Sequence, residues 1–142
     1  MTQAIEQKTG ASIFTGTFSS FSVNDMKAAK EFYGNVLGIV ASGMGEGLRL
    51  SLDGTSPVFV YPKADHQPAT FTVLNFNVDD IEEAMKELKS RGVKFESYDD
   101  EIKTDDNNIF RGAERGHGPN IAWFKDPAGN FLSLIETGGG QG

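Results

Sequence analysis

The chain has 142 residues, 23% of them charged and 38% apolar, with a formal net charge of -7. That length suffices for one domain with a buried core; the acidic balance argues against non-specific nucleic-acid binding, which needs clustered Lys and Arg, and no apolar run reaches the about 18 residues of a membrane span. Cysteine is absent, which excludes disulfides, thiolate metal sites and cysteine nucleophiles.

Residues 1–10 are polar, lack the apolar stretch of a secretion signal and read as a flexible arm, so a cytoplasmic location is expected. Residues 13–23 alternate and are rich in Phe and Thr, the pattern of a strand. Asp25 then caps a helix on which Met26, Ala29, Phe32, Tyr33, Val36 and Leu37 recur at helical spacing, with Gly38 closing it. Short strands are expected at 39–42, 48–52 and 57–61, with Gly43-Met44-Gly45-Glu46-Gly47 and Asp53-Gly54 as turns. Asp65-His66-Gln67-Pro68 reads as a linker, after which the order repeats. A strand over 71–78 leads to a helix capped by Asp80 and Glu83, with Ile81, Ala84, Met85 and Leu88 as its buried stripe and Gly92 at its end. Residues 93–98 read as a strand, 99–119 as a long acidic and then glycine-rich loop, and 121–124 with 131–135 as a final hairpin. Residues 138–142 read as a flexible tail.

The pattern Val23-Asn24-Asp25-Met26 through Tyr33 to Leu37-Gly38 returns about 55 positions later as Val78-Asp79-Asp80-Ile81 through Leu88 to Arg91-Gly92. Two copies favour one duplicated domain over a solenoid. The expected fold class is α+β: one domain over 11–137, made of two tandem βαβββ modules (11–66 and 68–137) whose sheets form a cup-shaped cleft.

At these residues the chain resembles the vicinal oxygen chelate superfamily, which includes glyoxalase I, bleomycin-resistance proteins and extradiol dioxygenases. The matching motifs are the Val-x-Asp openings of the helices, Phe32-Tyr33, Leu37-Gly38, and the closing run Ile121-Ala122-Trp123-Phe124-Lys125-Asp126-Pro127-Ala128-Gly129-Asn130 with Leu132, Leu134 and Glu136. In metal-using members, the resemblance implies ligands on the first and last strands of each module. Here those positions hold Phe18, Val73 and Ser133, and the last strand of the first module has no Asp, Glu or His. Phe and Val offer no donor atom, so no metal and no other cofactor is expected.

A cup without metal must recognise its ligand through aromatic and polar side chains. By strand parity Phe18 and Ser20 share a face, as do Phe71, Val73 and Asn75, and as do Phe131, Ser133 and Ile135. The aromatic members fit plain core filling as well as pocket lining; Asn75 and Ser133 are more telling, because a polar group on an apolar face needs a partner. Tyr61 and Trp123 join the candidates as aromatics with a polar handle. His117, in the Arg115-Gly116-His117-Gly118 loop, is the one obvious acid–base candidate, with Arg111 nearby in sequence. The ligand-binding set is therefore Phe18, Ser20, Tyr61, Val73, Asn75, His117, Trp123 and Ser133. The acidic residues Asp99, Asp100, Glu101, Asp105 and Asp106 lack calcium-loop spacing and read as a solvated loop. The expected function is metal-independent sequestration or sensing of a small aromatic or cationic compound by a homodimer. The alternatives are a glyoxalase-like lyase, isomerase or dioxygenase with a non-standard site, and a partner subunit with no small-molecule role.

Overall fold

The computed structural model describes residues 13–116 and 118–137. The arm at 1–10, the tail at 138–142 and His117 lie outside the described residues. Two four-stranded mixed sheets form, one per module, with strand orders β1-β4-β3-β2 and β5-β8-β7-β6. The first contains β1 (Ser19–Val23), β2 (Val40–Met44), β3 (Gly47–Ser51) and β4 (Val58–Pro62), and the second contains β5 (Thr72–Val78), β6 (Phe110–Arg111), β7 (Asn120–Lys125) and β8 (Phe131–Glu136). In each module the first and last strands run parallel at one edge of the sheet, β1 beside β4 and β5 beside β8. The α+β class and the tandem modules are as the sequence led us to expect.

Each module's helix begins as its sequence dictates. Asp25 accepts a hydrogen bond from the Ala28 amide at the start of α1 (Met26–Lys30), and Asp80 accepts from the Glu82 and Glu83 amides at the start of α2 (Ile81–Ser90). Such a cap satisfies amide donors that the helix itself leaves free. The first helix does not stay regular. It widens over Glu31–Val36, where the Leu37 amide reaches back five residues to the Phe32 carbonyl at 2.9 Å. Gly38 then turns the chain with φ of 74°, a conformation costly for a side-chain-bearing residue.

The widened turn has two jobs because Phe32 and Tyr33 pack in different directions. Tyr33 is fully buried and meets Phe21 of its own sheet, whereas Phe32 lies 6.4 Å from Phe124 of the other module. A single core results, running from Phe21, Val23, Leu48, Leu50 and Val60 through the helices to Phe124, Leu132 and Leu134. Burying each such side chain stabilises the fold by about 1.5–3 kcal/mol. Polar groups fix the joint. Tyr33 donates to Asp126 at 2.7 Å, Asn130 Nδ2 donates to the Ser22 carbonyl at 2.9 Å, and Arg91 donates to the Val36 carbonyl at 3.0 Å. The linker is pinned too: the His66 ring nitrogens sit 2.7 Å from Ser22 Oγ and 3.2 Å from the Ala128 carbonyl.

Among the described residues no ladder joins the two sheets, which stay open and separate. Both turn their apolar faces to the shared core. The alternate residues, Ser20, Arg49, Phe59 and Tyr61 in module one and Asn75 and Trp123 in module two, lie on the opposite faces.

Three stretches depart from the sequence expectation. The first strand starts at Ser19 rather than near residue 13. Residues 93–98 form no strand; Phe95 alone bridges to Phe124, and the edge strand is instead β6, followed by the short helix α3 (Gly112–Arg115). The glycine-rich stretch 43–47 is mostly ladder, with a turn only at 45–46.

Candidate functional site

The outer faces follow from period-two alternation. On β3, Leu48 and Leu50 are buried while Arg49 between them is exposed; on β4, Val60 is buried while Phe59 and Tyr61 face out and stack at 6.1 Å and 20°. The ladder aligns Ser42, Arg49, Phe59 and Ser20 as one row across all four strands of module one. Phe18, just before β1, is 68% exposed and borders a 280 Å³ groove with Met44, Arg49, Pro57 and Phe59. Gly47 permits this packing, because a Cβ there would come within 2.7 Å of the Phe59 ring.

In module two the row is Asn75, Ser133 and Trp123, across β5, β8 and β7. Ser133 is fully buried and donates to Asn75 Oδ1 at 2.5 Å, while Asn75 itself is exposed. The buried hydroxyl is thus satisfied, as burial requires. The Asn75 amide N–H groups have no partner among the described residues and remain available to a ligand. Trp123 is packed edge-on by Tyr98 at 5.5 Å and flanked by Phe110 at 6.4 Å. Partial burial, then the charges of Glu96 and Asp100, hold the Tyr98 hydroxyl above the usual tyrosine range, so it stays a neutral donor.

Of the sequence candidates, then, Phe18, Ser20 and Tyr61 gather on one outer face and Asn75, Ser133 and Trp123 on the other. Val73 joins neither. The pairing shifts between Thr72 and Leu74, which breaks the alternation, and Val73 packs against the core. His117 lies outside the described residues. Arg111 is occupied by ion pairs to Glu82 at 2.7 Å and Asp105 at 2.8 Å. Arg49, Phe59, Tyr98 and Phe110 were not singled out from sequence. Parity on the clearly alternating β3 would have found Arg49; nothing local places Tyr98 against Trp123.

A divalent metal does not fit the described residues. The positions where the fold family implies ligands hold Phe18, Val73 and Ser133, and among the described residues no three His, Asp or Glu side chains converge. Glu136 is committed elsewhere, accepting from the Ile81 amide and from Asn120 Nδ2, both at 2.9 Å. What the two faces offer chemically is ring stacking and hydrogen bonding.

Comparison with known proteins adds the relatives. The family model described as the Glyoxalase/Bleomycin resistance protein/Dioxygenase superfamily matches residues 17–134. Among curated proteins, none matches. Among solved structures, TnmS3, an antibiotic binding protein from Streptomyces sp. CB03234, is 21% identical with a TM-score of 0.62, covering 87% of this chain and 96% of that one. A member of the same superfamily from Sphaerobacter thermophilus DSM 20745 is 23% identical with a TM-score of 0.62, covering 87% of this chain and 98% of its own. A glyoxalase family protein from Enterococcus faecalis is 23% identical with a TM-score of 0.59, covering 88% of this chain and 100% of its own. At these identities the likeness is one of fold.

Proposed function

The chain belongs to the Glyoxalase/Bleomycin resistance protein/Dioxygenase superfamily, and within it we propose a protein that binds a small aromatic compound on its outer sheet faces, without a metal, as a homodimer. The observation that carries this reading is the row Asn75–Ser133–Trp123. A polar pair stands beside a tryptophan held edge-on by Tyr98, which is a flat stacking wall with an adjacent donor. Such a site recognises a planar ring bearing a hydrogen-bond acceptor. The family's metal-dependent chemistry is not part of the proposal, because Phe18 and Val73 carry no donor atom and the Ser133 hydroxyl is engaged by Asn75.

Trp123 is the only tryptophan, so its indole N–H gives one clean resonance. Titration with 2-naphthamide, a neutral flat amide, should move that resonance. Asn75→Leu should weaken binding without unfolding the protein, with a lowered thermal midpoint because the buried Ser133 hydroxyl loses its partner, and Asp106→Asn, on the exposed loop, should leave binding alone. An unmoved indole resonance, or a shift that Asn75→Leu leaves intact, would place the ligand elsewhere.

A further inference from the structure

We infer that the outer face of module one is a receptor for a planar aromatic carboxylate, anchored by Arg49. The inference rests on the reading that the outer faces take small molecules, and adds the ligand's charge and the module that reads it. Arg49 stands out by contrast with its surroundings. Its strand neighbours Leu48 and Leu50 are 1% and 4% exposed, and the groove beside it is walled by Phe18, Met44, Pro57 and Phe59. Arg91 and Arg111 are both held in ion pairs, but Arg49 has no carboxylate or carbonyl partner among the described residues. In a chain of net charge -7 with Glu46 on the adjoining turn, an arginine left unpaired on an apolar face is a vacant cation.

The geometry selects the anion. A guanidinium offers a planar fork that matches a carboxylate through two parallel hydrogen bonds. Its single charge balances one carboxylate, whereas a phosphate dianion would call for further donors that the groove walls do not supply. Phe59 lies directly opposite Arg49 in the ladder and is stacked on Tyr61, so a flat wall adjoins the fork. Gly47 leaves the space in which the Phe59 ring lies along the strand, where a Cβ would also meet the Val60 carbonyl at 2.6 Å. The 280 Å³ groove sits at the small end of ligand pockets, which limits the occupant to one or two rings.

The test compares 2-naphthoate with 2-naphthamide, equal in shape and different in charge, by titration of the backbone amides of residues 47–61 and the Arg49 Nε–H resonance. The naphthoate should bind roughly tenfold or more tightly than the amide, the scale of a charge-assisted hydrogen bond. Arg49→Gln should abolish that preference while retaining the fold by circular dichroism, and Arg49→Lys, which keeps the charge and loses the fork, should keep only part of it. Equal affinity for the two probes, or a preference that survives Arg49→Gln, overturns the inference. A naphthoate preference that depends on Arg49 while the Trp123 resonance never moves upholds it and removes the module-two reading instead. If naphthoate leaves residues 47–61 unmoved and Arg49→Gln turns a dimer into a monomer, the groove is an interface between copies and the inference falls.

Discussion

Tyr33 carries its hydroxyl into a place that is fully closed to solvent, where it meets the Asp126 carboxylate. That carboxylate also accepts from the Ala128 and Asn130 amides and from the Asn130 side chain, so its charge is well compensated. Burial first, then the negative charge of Asp126 and the hydrogen bond between them, hold the Tyr33 hydroxyl far above the ordinary tyrosine range. A pKa raised in the folded state means that the neutral form belongs to the native protein. Its contribution is fully present below the unfolded-state value near about 10 and is lost as the pH rises past it. Tyr33→Phe should therefore cost about 1–3 kcal/mol at neutral pH, the range for unmaking a buried hydrogen bond. It should also flatten the alkaline fall in stability, which urea unfolding between about pH 8 and pH 11 would measure. Equal alkaline slopes for parent and variant would mean that the phenol is not the group responsible. The sequence marked Tyr33 as a core position of the first helix, yet its partner 93 positions away could not be read from it.

At the scale of elements, the segment between α2 and β6 shows why 93–98 does not become a strand. Thr104 Oγ1 takes the Tyr98 amide at 2.9 Å, and Asp105 Oδ1 accepts from the Asn107 and Ile109 amides at 2.9 and 3.0 Å. Side chains that hydrogen-bond nearby backbone in this way compete with a ladder. The acidic stretch that read as a solvated loop therefore contains a structural centre, and Asp105 is its hub. Partial burial alone would raise the Asp105 pKa, but the bonds from Arg111, Ile109 and Asn107 outweigh it and hold the carboxyl below the ordinary range. A depressed pKa contributes stability above the unfolded value of about 3.9 and loses it as the pH falls toward the folded one. Asp105→Asn should speed hydrogen exchange at the Asn107 and Ile109 amides by roughly tenfold, the equivalent of about 1.4 kcal/mol in local opening. The parent should approach the variant's behaviour on acidification, and the near-ultraviolet signal of Trp123 should weaken with it. Unchanged exchange at both amides would show that the loop is held by other means. Capping aspartates, helix stripes and the closing hairpin were readable because each depends on residues close in sequence. The pairing shift at Val73 was not, because it depends on how β5 meets a strand some 60 positions on.

Across the whole molecule, Phe18, Val40 and Met44 in module one and Phe71, just before β5, are at least half exposed. Val40, on the edge strand β2, lies outside the Arg49 groove, and a two-fold pair is the commonest way to cover exposed apolar surface. Sedimentation at tens of micromolar should accordingly give about twice the 15.4 kDa of one chain; a monomer at high micromolar concentration would contradict the proposed dimer. The candidate site divides along the same line. Strand parity located Asn75, Ser133 and Trp123, because β5, β8 and β7 alternate cleanly through those residues, but it could not tell which way either sheet would turn. The joint between the modules decides that, and it is made by unlike residues. In the repeat, the position of Tyr33 is taken by Leu88, a side chain with no hydroxyl to give. A chain assembled from the second module twice would have two sheets, two copies of α2 and no phenol for the Asp126 clasp. The halves that began alike have become a left part and a right part, and neither can stand in for the other.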